Sequence, residues 1–540
     1  MVGRALRGVM IAAGAALAGV LVLLLASSRP SSVVLLAAAF AGVAALFLLG
    51  DLVLGLLCAY VLLAPVAISK ALAVGAGVYA PALEVTVSDV CLFALLPLWL
   101  ARKWSRREPL VARQFAIVPV TLFFGWAWVS ALHAGVLSHG LLAALNLSKS
   151  LVVFVVLSDL IDSPKRLRWV LCAAAVGLAL QAAMAGAQLA TRSQLLLPGM
   201  KTTAVATMGI SMRYVGGESA VDVFRPFGFL QHPVFLASYL VMALPLPLML
   251  VLVGARRTGR WTWRAAVALL LAGSGALVAT LSRGGWIALA VAVAFLFVAG
   301  IRMRLVRWRQ LAMAAGLAVA GAVGTLIAYP SAYYRLTQSD HRSSESRFLM
   351  MKQAALVIRD APLLGVGLAG YTRSAKHHQP TRFSAYNAEF RKKLSSGVVH
   401  NAYLAFWAER GLVGLVTVAV LYGSFLRAVL RKRRWRTPMD RAVAVGLVGG
   451  LVGQLVMYNF DHAYLDSRPG VLWLLFALLA AVMRLQEAPI VHFAGDSVVE
   501  AGEDSLGVRR PSPAVDVAAT VRQAGFWLPA DGGRMAWRPE

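Results

Sequence analysis

Apolar residues along this chain come in long blocks separated by short polar segments, and each block can cross a hydrocarbon core roughly 30 Å thick. In order, the blocks predict spans near 9–26, 33–49, 52–68, 84–101, 115–132, 144–161, 169–190, 233–253, 265–282, 285–300, 311–328, 402–425, 442–458 and 470–484, about fourteen helices. The first resembles a signal peptide in place, but Ser27-Ser28-Arg29-Pro30 is a poor cleavage site and another block follows at once, so it is expected to stay as a helix.

Composition supports the pattern. Of 540 residues, 59% are hydrophobic and only 14% charged, with a mean hydropathy of +0.73, which leaves too little polar surface for a water-soluble globular protein. The fold class expected is all-α: a polytopic integral membrane protein, with residues 1–485 as a transmembrane domain and 486–540 as a disordered cytoplasmic tail. Cys58, Cys91 and Cys172 lie inside apolar blocks without paired spacing, so neither a disulfide framework nor a cysteine metal site is expected.

A net charge of +28 would suggest nucleic acid in a soluble chain, but its distribution points to topology instead. Segments 1–8, 102–113, 162–168, 255–264, 301–310 and 427–441 carry 25 Lys or Arg residues; the short loops between them (27–32, 69–83, 133–143, 283–284 and 459–469) carry 4. Basic side chains resist translocation, so the rich segments are expected to be cytoplasmic, with both termini on that side of a bacterial inner membrane and no nucleic-acid partner.

Two long loops escape that rule. Residues 191–232 hold Arg192, Lys201, Arg213 and Arg225, and residues 329–401 hold eleven Lys or Arg. Long loops translocate regardless of charge, so both are read as periplasmic, and their basic character suits either a polyanionic substrate or the anionic lipid surface. In the second loop, Ser343-Ser344-Glu345-Ser346 offers capping chemistry, and 347–359 reads as a helix with Met351, Ala355 and Ile358 on one face, lying on the outer bilayer surface. Asp360-Ala361-Pro362 should stop it. The following Gly365-Val366-Gly367-Leu368-Ala369-Gly370 matches GxGxxG literally. It follows a helix and a proline rather than a strand, so a glycine-rich turn is expected and not a dinucleotide site.

Residues 397–414 end that loop and open a span: Gly397-Val398-Val399-His400-Asn401, then nine residues, then Gly411-Leu412-Val413-Gly414. This arrangement resembles the signature of the O-antigen ligase and O-antigen polymerase superfamily. Three further segments resemble it: Thr280-Leu281-Ser282-Arg283-Gly284-Gly285; Ser346-Arg347 with Asp360 to Gly367; and Arg225-Pro226-Phe227-Gly228 ahead of His232-Pro233 and Ala237. The likeness covers about residues 200–480, and all four segments fall on the side assigned as periplasmic from charge alone. Where family ligases often carry Thr after the last glycine, this chain reads Gly414-Leu415-Val416-Thr417, which leaves polymerase and ligase both open.

The resemblance implies a helical membrane glycosyltransferase of GT-C-like architecture. Its donor would be an undecaprenyl-diphosphate-linked glycan, its acceptor a glycan or lipid A-core hydroxyl, its working medium the lipid bilayer, and its course inversion at the anomeric carbon. A lipid-linked oligosaccharide flippase is the reading from another class, and would place ionisable residues at mid-bilayer rather than at helix ends.

The residue chemistry fits a transferase. A lipid diphosphate leaves readily only when its developing charge is neutralised, and the planar fork of Arg suits phosphate oxygens. Arg283 and Arg347, with Arg225 as a further contact, are the expected cationic residues. His400 is expected to act on the acceptor hydroxyl as general base or orienting group, and Asn401 to cap the helix or orient its neighbour. Tyr403, Glu409 and Lys149 are expected to help bind substrate, and Asp461 to line the acceptor path. No Asp-x-Asp pair stands at an outer boundary, so neither metal nor other cofactor is expected.

Overall fold

The computed structural model describes residues 51–75, 81–110, 115–197, 200, 207–214, 217–310, 329–337, 341–378, 399–461 and 470–487, with isolated positions between 311 and 328. The expected spans 9–26 and 33–49, nearly all of 311–328, and the tail beyond residue 487 lie outside the described residues.

The first described helix, α1 (Leu52–Leu63), is shorter than the 52–68 expected, because Pro65 and a β-hairpin follow it. The hairpin pairs β1 (Ser69–Val74) with β2 (Ala82–Thr86), and so delays the next helix, α2 (Val87–Arg106), which starts on a reciprocal capping box between Thr86 and Asp89. Then come α3 (Ile117–Leu132), α4 (Leu137–Leu160) and α5 (Pro164–Thr191), the last opened by the Ser163 cap and Pro164. A second antiparallel hairpin, β3 (Thr207–Tyr214) with β4 (Gly217–Phe224), stands where the sequence reading had only a loop. The all-α expectation is therefore corrected by two hairpins, each in a connection between helices.

The span expected at 233–253 is present but interrupted. It consists of α6 (Pro233–Ala243) and α7 (Pro245–Val253), joined at Leu244, because Pro245 and Pro247 bring no N–H to the helical ladder. After a short α8 (Ala255–Thr258) come α9 (Arg260–Ala279) and α10 (Arg283–Arg302). The long loop contributes α11 (Pro330–Thr337), α12 (His341–Asp360) and α13 (Tyr371–Ala375). Three long helices close the fold: α14 (Ala402–Arg431), α15 (Pro438–Met457) and α16 (Gly470–Glu487).

Among the described residues, eight helical spans are long and apolar enough to cross a bilayer, and α1 and α3 are shorter apolar helices. The broken span α6–α7 and α16 are the most enclosed of them, followed by α15. Hydrocarbon exerts little hydrophobic pressure between helices, so close backbone approach through small residues decides their contacts. Gly446, Gly449, Gly450 and Gly453 of α15 abut Leu246, Pro245, Met242 and Val241 of the broken span, and Leu296 and Ala292 of α10. At one end of the bundle, the buried Asp159 carboxylate accepts from Trp99 Nε1 (2.8 Å), Lys103 Nζ (3.2 Å) and Arg484 Nη1 (3.2 Å), tying α2, α4 and α16 together.

Helix α12 departs from the sequence reading twice. It starts at His341, upstream of the serines expected to cap it, and ends at Asp360 as expected. Its buried face is Leu349, Met350, Gln353, Ala354, Val357 and Ile358, whereas Met351 and Ala355 are exposed. That face packs against Tyr371, Ala375, Val399 and Ala408 of the same polypeptide, so protein covers its apolar stripe rather than the bilayer surface.

Candidate functional site

The tight turn between α9 and α10 is the centre of the site. Leu281 takes a left-handed conformation (φ 52°), an uncommon one for a branched side chain. Ser282 caps α10 by accepting from the Gly285 N–H at 3.2 Å. Helix α10 can start there because Gly284 lies against the Phe460 side chain and Gly285 against Ala237 and Leu277, where added Cβ atoms would crowd. Arg283 is thereby set beside the segment ending in Asp461.

The carbonyls of the turn orient arginines from other parts of the chain. Arg225 Nε donates to Thr280 O (2.7 Å), Arg335 Nε donates to Leu281 O (3.3 Å), and Arg283 Nε donates to Arg335 O (2.6 Å). Burial, followed by the Arg335 and Arg347 charges, pushes the Arg225 guanidinium down to about 10, so it remains cationic near neutral pH. The positive charges of Arg225, Arg283, Arg335 and Arg347 thus gather at one end of α10. Such a concentration is costly to desolvate unless an anion joins it.

The Arg225 loop is held from behind by two buried glutamines of α5. Gln188 Oε1 accepts from Phe227 N (3.0 Å) and Gly228 N (2.9 Å), while its Nε2 donates to Gly228 O (3.0 Å). Gln181 accepts from Phe229 N (2.9 Å) and donates to Pro65 O (2.8 Å). Gly228 (φ 61°) fits because a Cβ would collide with the Gln181 side chain. Replacing Gln188 by Ala strands two buried N–H donors, an expected loss of roughly 2 to 5 kcal/mol. Thermal unfolding in detergent should fall accordingly, and an unchanged midpoint would remove Gln188 from this role.

Next to the arginines lies an imidazole pair. His400 Nδ1 donates to the buried Asp461 Oδ2 at 3.3 Å, which directs the ring's basic lone pair to Nε2. His232 caps α6 by accepting from Val234 N at its own Nδ1 (3.1 Å). Burial, then the Arg225 charge, pushes His232 down to about 4, with Asp461 opposing and His400 adding to the shift, so His232 is neutral near pH 7. Arg225, His232, His400 and Asp461 are therefore within electrostatic reach of one another.

The glycines after His400 have a structural task. Gly411 (φ 66°) interrupts α14, where a Cβ would run into the Leu363 carbonyl oxygen. The loop from Pro362 to Gly370 docks on this kink: Val366 N donates to Ala408 O (2.8 Å), Gly367 N to Glu409 O (2.9 Å) and Leu412 N to Pro362 O (2.9 Å). The GxGxxG match is thus a turn clamped to the first segment of α14, as its context in the sequence indicated.

Of the expected site residues, the structure draws Arg225, Arg283, Arg347 and His400 together. Asn401 caps α14 through Leu404 N (3.0 Å) and donates to Asn459 O (3.4 Å). Tyr403 donates its hydroxyl to Leu455 O (2.6 Å). Glu409 Oε1 accepts from Tyr371 N (3.4 Å), in the packing between α13 and α14. Lys149 pairs with Asp89 (2.9 Å) and also donates to Glu84 O, which ties it to α2 and the first hairpin rather than to the arginines. Sequence reasoning quoted His232 as part of a motif without giving it a role, and missed Arg335, Gln181 and Gln188. Only the glutamines left a signal: two polar residues seven apart on one face of an apolar span.

Comparison with known proteins adds two findings. Residues 265–419 match the family model described as O-Antigen ligase, and so include the α9–α10 turn, Arg335, Arg347, His400 and the Gly411 kink. A stretch of 157 residues is 29% identical to an uncharacterized protein of Haemophilus influenzae, covering 26% of this chain. The chain spans 37% of that relative's length.

Proposed function

We propose, from the match of residues 265–419 to the O-antigen ligase family model, that the protein transfers glycan units from a lipid diphosphate to a sugar hydroxyl at the periplasmic face of the bacterial inner membrane. The observation that carries this reading is the gathering of Arg225, Arg283, Arg335 and Arg347 within reach of the His400–Asp461 pair. The bias of Lys and Arg between alternate loops supports the periplasmic side for this cluster and the cytoplasmic side for both termini.

In the proposed reaction the arginines grip the diphosphate. As the bond from C1 to the phosphate oxygen breaks, they hold the negative charge left on undecaprenyl diphosphate. His400 Nε2 takes the proton of the acceptor hydroxyl, whose oxygen forms the new bond to C1 from the opposite face and inverts it. Cationic side chains supply the charge neutralisation for which other transferases recruit a divalent ion, so the reaction is proposed to need no metal.

Polymerase is the primary reading, in which a second lipid-linked unit is the acceptor. The description of the matching family favours the ligase alternative, with lipid A core or a protein as acceptor. A flippase is disfavoured because the charged cluster sits at helix ends. Purified protein given undecaprenyl-diphosphate-linked oligosaccharide and excess EDTA should form glycosidic product of inverted configuration. A ladder from donor alone identifies a polymerase, and product only when lipid A core is added identifies a ligase. Recovery that depends on Mg²⁺ or Mn²⁺ would overturn the metal-free mechanism, and translocation of donor without any product would overturn transfer itself.

A further inference from the structure

A second cationic site lies at the far end of the helices that carry the first. Helix α10 starts at Arg283 and ends at Arg302, about 30 Å away at 1.5 Å per residue. There, a cavity of 620 Å³ opens between the C-terminal ends of α10 and α14 and the first turn of α15. Arg302, Arg431, Lys432, Arg433 and Arg441 all line it, with no carboxylate in its wall. None of the five makes an ion pair among the described residues.

Ordinary clustering of basic residues at a membrane face puts them on exposed loops, where each is hydrated separately. Here three helix ends turn five of them onto one open cavity, with Arg302, Arg431 and Arg433 exposed at its rim and Lys432 and Arg441 half-buried. Arg441 is held there by donating from Nη1 to Met303 O (2.8 Å), the carbonyl just past the end of α10. Its buried Nε finds no acceptor among the described residues. Like charges so arranged repel, and a bound anion relieves them.

The walls say which anion. Leu430 lines the cavity and is itself exposed on the helix surface, as is Ile301 next to Arg302, so the charged chamber continues into an apolar flank. A soluble phosphate would use the charges and leave that flank unsatisfied. A phospholipid uses both: its phosphate in the chamber and its acyl chains along the helices.

We propose that this cavity binds the phosphate headgroup of an anionic phospholipid, fixing the ends of α10, α14 and α15 on the face opposite the transfer site. The proposal stands independently of the reaction assigned to that site.

Native mass spectrometry of the full chain, titrated with phosphatidylglycerol, phosphatidylcholine and inorganic phosphate, tests it. The doubly substituted Arg431→Gln/Arg433→Gln protein should bind phosphatidylglycerol about 30-fold more weakly than wild type, since two basic residues near a lipid surface contribute that much together. Arg256→Gln/Arg257→Gln removes as much charge from α8, outside the cavity, and should bind like wild type. Phosphatidylcholine should bind weakly to all three proteins. Equal weakening in both double variants would reduce the effect to diffuse surface charge and overturn the site. Inorganic phosphate displacing phosphatidylglycerol at equal concentration would overturn the lipid as occupant. Thermal unfolding without added lipid, unchanged in both variants, separates binding from misfolding.

Discussion

Replacing Arg283 by Ala is expected to reduce glycan transfer about 30-fold to 1,000-fold at unchanged expression, the effect of losing a charge-assisted contact of roughly 2 to 4 kcal/mol in the transition state. Arg283 engages the Arg335 carbonyl through Nε, so recognition of phosphate would fall to its terminal nitrogens, held in one plane by that anchor. Lys at this position restores the charge but neither the anchor nor the fork, so Arg283→Lys should recover only part of the activity. Arg347→Ala should behave similarly. The same assay on Arg225→Ala carries a structural component, because Arg225 is buried and bonded to Thr280 O. Transfer is measured with purified protein and lipid-linked donor. Full activity in Arg283→Ala would take that residue out of the site.

His400→Ala is expected to cost about 100-fold to 10,000-fold in product formation while donor binding is retained, because a hydroxyl is a poor nucleophile without a positioned base. Translocation of an intact lipid-linked glycan needs no proton abstraction, so this substitution also separates transferase from transporter. Asp461→Asn tests the same mechanism indirectly. The carboxylate accepts from His400 Nδ1 and fixes the tautomer that presents Nε2, so its loss should lower turnover without weakening donor binding. A purely structural role for Asp461 would instead lower thermal stability with turnover per folded molecule preserved. Product formation at the wild-type level in His400→Ala would refute the base assignment.

Much of this protein is legible in its sequence because a bilayer imposes local rules. Every span must satisfy its own backbone hydrogen bonds and present apolar side chains, so α4, α5, α9, α10, α14, α15 and α16 stand close to where hydropathy puts them. The break between α6 and α7 was not read from the sequence, where hydropathy puts one span over 233–253, whereas the rejection of a dinucleotide site followed from what precedes Gly365. The motif around His400 was also legible, since His400, Asn401 and the glycines are close in the chain.

Tertiary structure decided what depends on contacts between distant segments. Arg335 is one of eleven basic residues in its loop, and its bonds with Leu281 O and Arg283 Nε set it apart. Met351 and Met350 of α12 look equally apolar in sequence, yet the docking of α13 and α14 buries Met350 and leaves Met351 outside. Asp461 becomes the partner of His400 because the end of α15 returns beside the start of α14, 61 residues apart in sequence. Hydropathy reports the cost of placing a residue in lipid, a local quantity. The grouping of charges at the site instead reports how the helices pack, and that is set by close contacts such as Gly284 on Phe460 and Gly450 on the Met242 carbonyl.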